Sequence, residues 1–160
     1  MQLILVLETR KSCNSDYRYI KATIDYFYKP RSFSIRPIYA KNKSELLNQE
    51  RKINNEKHKY DGRSVVVICA DFDRKDDPLN DELIEYCKEN NYALIWMNLN
   101  VEHVFLNDKN VTNKEKASIN FLKNSDLILS KLENLNNTDC LNCICSSNIL
   151  CILDKYLEKK

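Results

Sequence analysis

The chain has 160 residues, 43% of them hydrophobic and 30% charged, with a formal net charge of +2. That is the balance of one soluble domain with enough apolar surface for a core. Its single glycine excludes a Gly-rich phosphate loop and a dinucleotide fingerprint, and no apolar run approaches the roughly 18 to 20 residues of a membrane span.

Residues 2–8 read as a buried strand of continuous β-favouring side chains. This opening lacks the basic region and small-residue cleavage site of a signal peptide, so a cytoplasmic chain is expected. Residues 14–28 read as a helix capped by Asn14 or Ser15, with Tyr17, Ile20, Ile24, Phe27 and Tyr28 at helical spacing. Lys29-Pro30 stops it. Residues 32–40 alternate as a second strand, which Pro37 would place at an edge or shorten. A polar helix capped by Ser44 is expected over 43–58, and Asp61-Gly62 is a turn. Residues 64–70 are the strongest strand signal in the chain. A loop over 71–78 follows, with Asp76 and Asp77 placed to meet the N-terminus of a helix over 79–90, a further ligand being the alternative. Tyr92 to Met97 reads as a strand, and a short helix starts near Val101. Residues 113–123 and 146–158 look helical, with a polar loop over 132–139. The alternation predicts an α/β fold: a parallel sheet of about four strands flanked by helices, in one domain.

Charge is unevenly spread. Residues 1–63 carry 14 Lys/Arg and 7 Asp/Glu, whereas residues 64–160 carry 11 and 16. Solvated helix faces account for such a pattern, and so does a basic rim beside an acidic site that takes a polyanion. The seven cysteines are an odd number, which fits reduced thiols. Cys140, Cys143, Cys145 and Cys151 match no common zinc spacing well and read as small core residues, with a structural metal as the alternative.

Two strands end in acids. The first is followed by Glu8, and the second major run by Asp71-Phe72-Asp73. Side chains just past the carboxyl ends of strands in an open α/β sheet face the crevice where ligands bind. If the strand continues, alternation sets Asp71 and Asp73 on one side and Phe72 on the other. Their repulsion is costly unless a cation neutralises it. Three such carboxylates form a hard oxygen site suited to Mg²⁺ or Mn²⁺, and a divalent ion beside a phosphodiester assists its cleavage. The alternative is solvated acids at strand ends.

Glu8 after the first strand and Asp71-x-Asp73 after a later one resemble the TOPRIM domain of topoisomerases, primases and OLD-type nucleases. Met97-Asn98-Leu99-Asn100-Val101-Glu102-His103-Val104-Phe105-Leu106 resembles the "SNPxFExWLL" segment of RloB-like TOPRIM proteins. Leu7-Glu8-Thr9-Arg10-Lys11-Ser12, with Tyr17 and Tyr19 downstream, is similar to that family's "EGxxTExxYF" opening. The resemblance covers residues 1–106, which makes them the core of the domain and 107–160 a helical C-terminal extension; the chain departs at Thr9, where the family has Gly, at the second acid of the opening, and at the Pro of the later segment.

The resemblance implies a Mg²⁺-dependent nuclease acting on DNA or RNA in prokaryotic defence against phage or mobile elements. Asp71 and Asp73 would hold the metal, Glu8 would be a ligand or proton shuttle, Glu102 would complete the acidic pocket, and Asn98 would shape the turn that presents it. The competing expectation is a non-catalytic TOPRIM-like subunit that docks on a partner such as an ATPase or another defence protein. Arg10, Lys11, Arg74 and Lys75 are the candidates for phosphate contact, with solvated loop charge as the alternative. His103 reads as structural, and no Ser-His-Asp or Cys-His arrangement is legible.

Overall fold

In the computed structural model, which describes residues 1–30, 33–138 and 145–160, the four apolar runs form one all-parallel sheet in the order β2-β1-β3-β4. The strands are β1 (Gln2–Leu7), β2 (Ser34–Tyr39), β3 (Ser64–Phe72) and β4 (Ala93–Asn98). All six residues of β1 are buried, because β1 lies between two strands and both its faces are covered. Pro37 lies in β2, at the sheet edge, where a missing N–H costs no inner ladder bond.

Among the described residues, eight α-helices flank the sheet: α1 (Ser15–Phe27), α2 (Lys43–Leu46), α3 (Glu50–His58), α4 (Pro78–Glu89), α5 (Val101–Leu106), α6 (Lys114–Lys123), α7 (Ser125–Leu129) and α8 (Ile149–Leu153). Side-chain alternation sorts them into two layers. Leu3, Leu5 and Leu7 with Val65, Val67 and Cys69 pack against α1, α5, α6, α7 and α8. Ile4 and Val6 with Val66, Ile68, Ala70 and Phe72 pack against Leu46 of α2, Ile53 of α3 and Leu83 of α4. Phe121, Leu129, Ile149, Leu153 and Leu157 belong to the first of these clusters, so the C-terminal extension shares the core of the sheet.

Several local expectations are corrected. Asn14 takes the left-handed conformation at φ 51° and its side chain caps nothing; its Oδ1 instead accepts from the Tyr39 hydroxyl at 2.8 Å. The helix expected over 43–58 breaks between Leu46 and Glu50, and Asn42, not Ser44, caps its first part by accepting from Glu45 N–H at 2.9 Å. Strand β3 runs two residues further than the apolar run, so Asp71 and Phe72 are strand residues. The last helix is shorter than 146–158, and α7 was not expected.

The far edge of β4 is covered by the chain's own C-terminal segment. The Asn98 N–H donates to the Ser146 carbonyl at 3.0 Å, and Met97 bridges Ser147. The Asn148 side chain then imitates a strand: its Oδ1 accepts from Trp96 N–H at 2.8 Å, and its Nδ2 donates to the Leu94 carbonyl at 3.1 Å. An exposed edge is thereby paired. Among the described residues, no helix is long and apolar enough to cross a membrane.

Candidate functional site

The chain leaves β1 for β2 on one side and returns to β3 on the other. This reversal of strand order opens a crevice beyond the carboxyl ends of β1 and β3. Glu8 directly follows β1, and Asp71 is the penultimate residue of β3. The Glu8 Oε2 accepts from the Asp71 backbone N–H at 3.1 Å, while the Glu8 N–H donates to the Cys69 carbonyl at 3.2 Å. The two strand ends are thus tied together by the first acid itself.

Asp71 continues the row Val65, Val67, Cys69 toward α1 and α6. There it meets acids from two helices. Asp16, in the first turn of α1, is 7% exposed and accepts from the Ser15 hydroxyl at 2.8 Å. Glu102, on α5, is 1% exposed. Asn100 caps α5 through Oδ1, which accepts from His103 N–H at 2.8 Å, so Asn100 rather than Asn98 supplies the side-chain cap that presents Glu102. Lys114, the first residue of α6, brings its Nζ to 3.3 Å from Glu102 Oε2. Neither Glu102 oxygen has a hydrogen bond of ordinary geometry among the described residues, and nor does the buried Tyr19 hydroxyl, which feels the charge of the same two acids. Buried oxygens without donors are rare and costly.

On the other side of the strand ends lies a second cation. Lys43, at the start of α2, is 3% exposed. Its Nζ donates to Asp77 Oδ2 and Asn80 Oδ1, each at 3.0 Å, and lies 4.0 Å from Asp73 Oδ2. Asp77 also caps α4, accepting from Leu79 N–H at 3.0 Å, and the Lys43 hydrogen bond holds its carboxyl below the ordinary range. Asp73 lies past the end of β3 with its side chain 56% exposed.

The electrostatics follow from this crowding. Burial lifts the Glu8 carboxyl to about 7, with Asp73 and Asp16 adding to the rise and the Asp71 N–H and Lys43 opposing it. Burial likewise lifts Asp16 to about 6, with the Ser15 hydroxyl and Lys114 opposing and Glu102 adding. Asp71 is raised well above the carboxylate range by burial, then by Asp16 and Glu8. Burial works against the charge of Lys114, but Asp71, Glu102 and Asp16 outweigh it and raise the lysine. The acids therefore share protons and one ammonium group instead of standing as free anions.

No family model, curated protein or solved structure matches this chain.

Of the expected site residues, the structure brings Glu8, Asp71 and Glu102 into one crevice and leaves Asp73 on its rim, beside Lys43. Among the described residues, no three or more His, Cys, Asp or Glu converge closely enough to cage a metal ion. Arg10, Lys11, Arg74 and Lys75 are exposed. Lys11 lines an open groove of about 630 Å³ with Tyr39, Lys52 and Lys59, whereas Arg74 lies 3.7 Å from Asp76. Cys140 and Cys143 lie outside the described residues. Cys145 and Cys151 are half-buried free thiols, and Cys145 Sγ sits 3.1 Å from His103 Nε2, a pairing that sequence reading did not find.

Asp16, Lys43 and Lys114 are the participants that sequence reading missed. Asp16 had a signal: Ser15-Asp16-x-x-Tyr19 repeats the hydroxyl-acid-x-x-Tyr spacing of the opening segment, displaced three residues along the chain. The lysines had none, because a basic residue at a helix start reads as solvated.

Proposed function

We propose that this crevice is a divalent-metal centre for phosphodiester hydrolysis of DNA or RNA, in a TOPRIM-like domain acting within the cytoplasm in prokaryotic defence. The observation that carries this reading is the group of donor-poor oxygens, both of Glu102 and the Tyr19 hydroxyl, buried beside Asp16 and Asp71 at the reversal point of the sheet. Such a donor set is all oxygen, which fits Mg²⁺ or Mn²⁺ and not a soft metal. Asp71, Asp16 and Glu102, with Lys114 among them, do not converge closely enough to cage an ion. They would hold it once the lysine withdraws and they draw together, with Asp73 at the rim. When bound, the ion supplies Lewis-acid polarisation of the phosphoryl oxygen. Lys114, 44% exposed along its side chain, neutralises these acids and has room to withdraw.

Glu8 takes the proton-transfer role. A carboxyl lifted to about 7 accepts and returns protons efficiently at neutral pH. Its hydrogen bond from Asp71 N–H fixes it beside the acids. The groove lined by Lys11, Lys52 and Lys59 offers a path for a phosphate backbone toward the strand ends. The order Glu8, Asp71-x-Asp73, Glu102 supports the TOPRIM assignment.

A second reading is a non-catalytic domain that docks on a partner such as an ATPase. It is favoured by one observation: Lys43 and Lys114 already compensate the acids. The two readings separate in a cleavage assay with plasmid, single-stranded DNA and tRNA in Mg²⁺ or Mn²⁺. The hydrolase reading predicts cleavage that chelation stops and that Asp71→Ala and Glu8→Gln abolish. No cleavage of any of the three by wild type would leave the docking reading.

A further inference from the structure

Helix α5 presents Glu102 to the acidic crevice and the next residue, His103, to a different place. His103 Nε2 lies 3.1 Å from Cys145 Sγ. The other ring nitrogen, Nδ1, lies 3.4 Å from the Asn98 carbonyl. A carbonyl can only accept, so Nδ1 carries the proton and Nε2 is left as an acceptor facing the thiol. The thiol also donates to Asn107 Oδ1 at 2.9 Å, so its proton lies between two acceptors, that amide oxygen and Nε2.

Both residues that flank the imidazole are held by backbone structure. Asn107 ends α5 in the left-handed conformation at φ 54°. Cys145 is also left-handed, at φ 52°, and is followed directly by the segment that pairs with β4 through Ser146 and Ser147. The thiol borders an open depression of about 420 Å³ whose wall includes Phe105, Leu132, Lys131 and Glu133. Lys131 and Glu133 give that wall one cation and one anion over an apolar floor.

We propose that Cys145, with His103 as its base, is a nucleophilic thiol that undergoes exchange with small disulfides carrying both carboxylate and ammonium groups. His103 Nε2 takes the thiol proton as Sγ attacks one sulfur of the incoming disulfide. A new S–S bond forms to Cys145, the incoming S–S bond breaks, and the departing thiolate receives the proton from His103. Cys145 is oxidised, and the small disulfide is reduced to one free thiol and one bound half. Burial pushes the Cys145 thiol up, so it rests protonated and depends on the neighbouring base for its reactivity. Lys131 and Glu133 suit the carboxylate and ammonium of the adduct. This site is independent of the metal centre and stands whether or not the chain cuts nucleic acid.

The test is peptide mapping by mass spectrometry of the full chain during exposure to oxidised glutathione. Cys13 and Cys151 are half-buried thiols that serve as internal comparisons, and buried Cys69 and Cys87 report unfolding. The expected result is modification of Cys145 about tenfold or more faster than Cys13 and Cys151, brought to their rate by His103→Ala. Bis(2-hydroxyethyl) disulfide, which has no charge, should show a smaller preference for Cys145. If Cys69 and Cys87 begin to react in His103→Ala, the bulk-retaining His103→Gln is the variant compared. Cys145 reacting no faster than Cys13 and Cys151, or as fast without the imidazole as with it, overturns the proposal.

Discussion

Lys114 Nζ lies 3.3 Å from an oxygen of Glu102, a carboxylate that is 1% exposed and has no hydrogen-bond donor of ordinary geometry among the described residues. A buried acid in this state needs a cation, and the lysine is the cation nearest to it. The pair is asymmetric. Glu102 is fixed on a capped helix and buried, whereas the lysine side chain is 44% exposed.

Removing that ammonium should therefore destabilise the metal-free protein. Lys114→Met is expected to lose about 1–2 kcal/mol at pH 7.5 in chelator, less than the ~3–5 kcal/mol of a fully buried pair because the lysine is part-solvated. The loss should shrink at about pH 5, where Asp16, lifted to about 6, is protonated. Urea denaturation at the two pH values measures this. An equal loss at both would mean that the lysine acts through packing alone.

Glu8 predicts a pH dependence of definite sign. Its carboxyl rises from 4.5 to about 7 on folding, chiefly through burial. Between these values the folded protein keeps a proton that the unfolded chain releases. The stability contributed by this group is full below about pH 4.5 and is lost as pH rises through about 7. Glu8→Gln cannot titrate, so its stability should fall less than that of wild type between pH 5 and 8, by about 1–3 kcal/mol. Parallel denaturation curves for the two proteins across that range would contradict the burial of Glu8.

Asn148 tests how the sheet is closed. Its amide pairs with Trp96 N–H and the Leu94 carbonyl, two backbone groups on the outer edge of β4. Asn148→Ala leaves both without that partner and should cost about 2–3 kcal/mol. Hydrogen exchange at the Trp96 amide should accelerate more than at Val67 in the sheet centre. Uniform acceleration would show instead that the side chain matters only to global stability.

The sheet was legible because burial on both faces demands unbroken apolar runs, and Leu3 to Leu7 and Val65 to Ala70 supply them. The end of β3 was not, because Asp71 is polar and its strand pairing with Met97 is a property of the neighbouring strand. Glu102 was reached only through the resemblance of residues 97–106 to a family segment, and it is the one acid of α5. Lys43 and Lys114 were hidden for a different reason. Each begins a helix, where charge normally faces water, and only the packing of two separate helices on the strand ends brings their ammonium groups to the acids. The break between α2 and α3 was missed because no glycine or proline marks it.

The basic groove predicts a salt-dependent contact. Lys11→Ala with Lys52→Ala should weaken binding of a single-stranded oligonucleotide about tenfold at low salt. The slope of log affinity against log salt should fall by about 1 for each lysine that meets a phosphate. Fluorescence anisotropy in a salt series reads both. Unchanged affinity and slope would place the nucleic acid elsewhere on the surface.

The ion itself is the deciding matter. Isothermal titration of Mn²⁺ into the chelator-treated protein at pH 8, where these acids are most ionised, addresses it directly. The account predicts one saturable event in wild type, tighter binding in Lys114→Gln, and loss of the event in Asp71→Ala and Glu102→Gln. Absence of any saturable binding in both wild type and Lys114→Gln would contradict it.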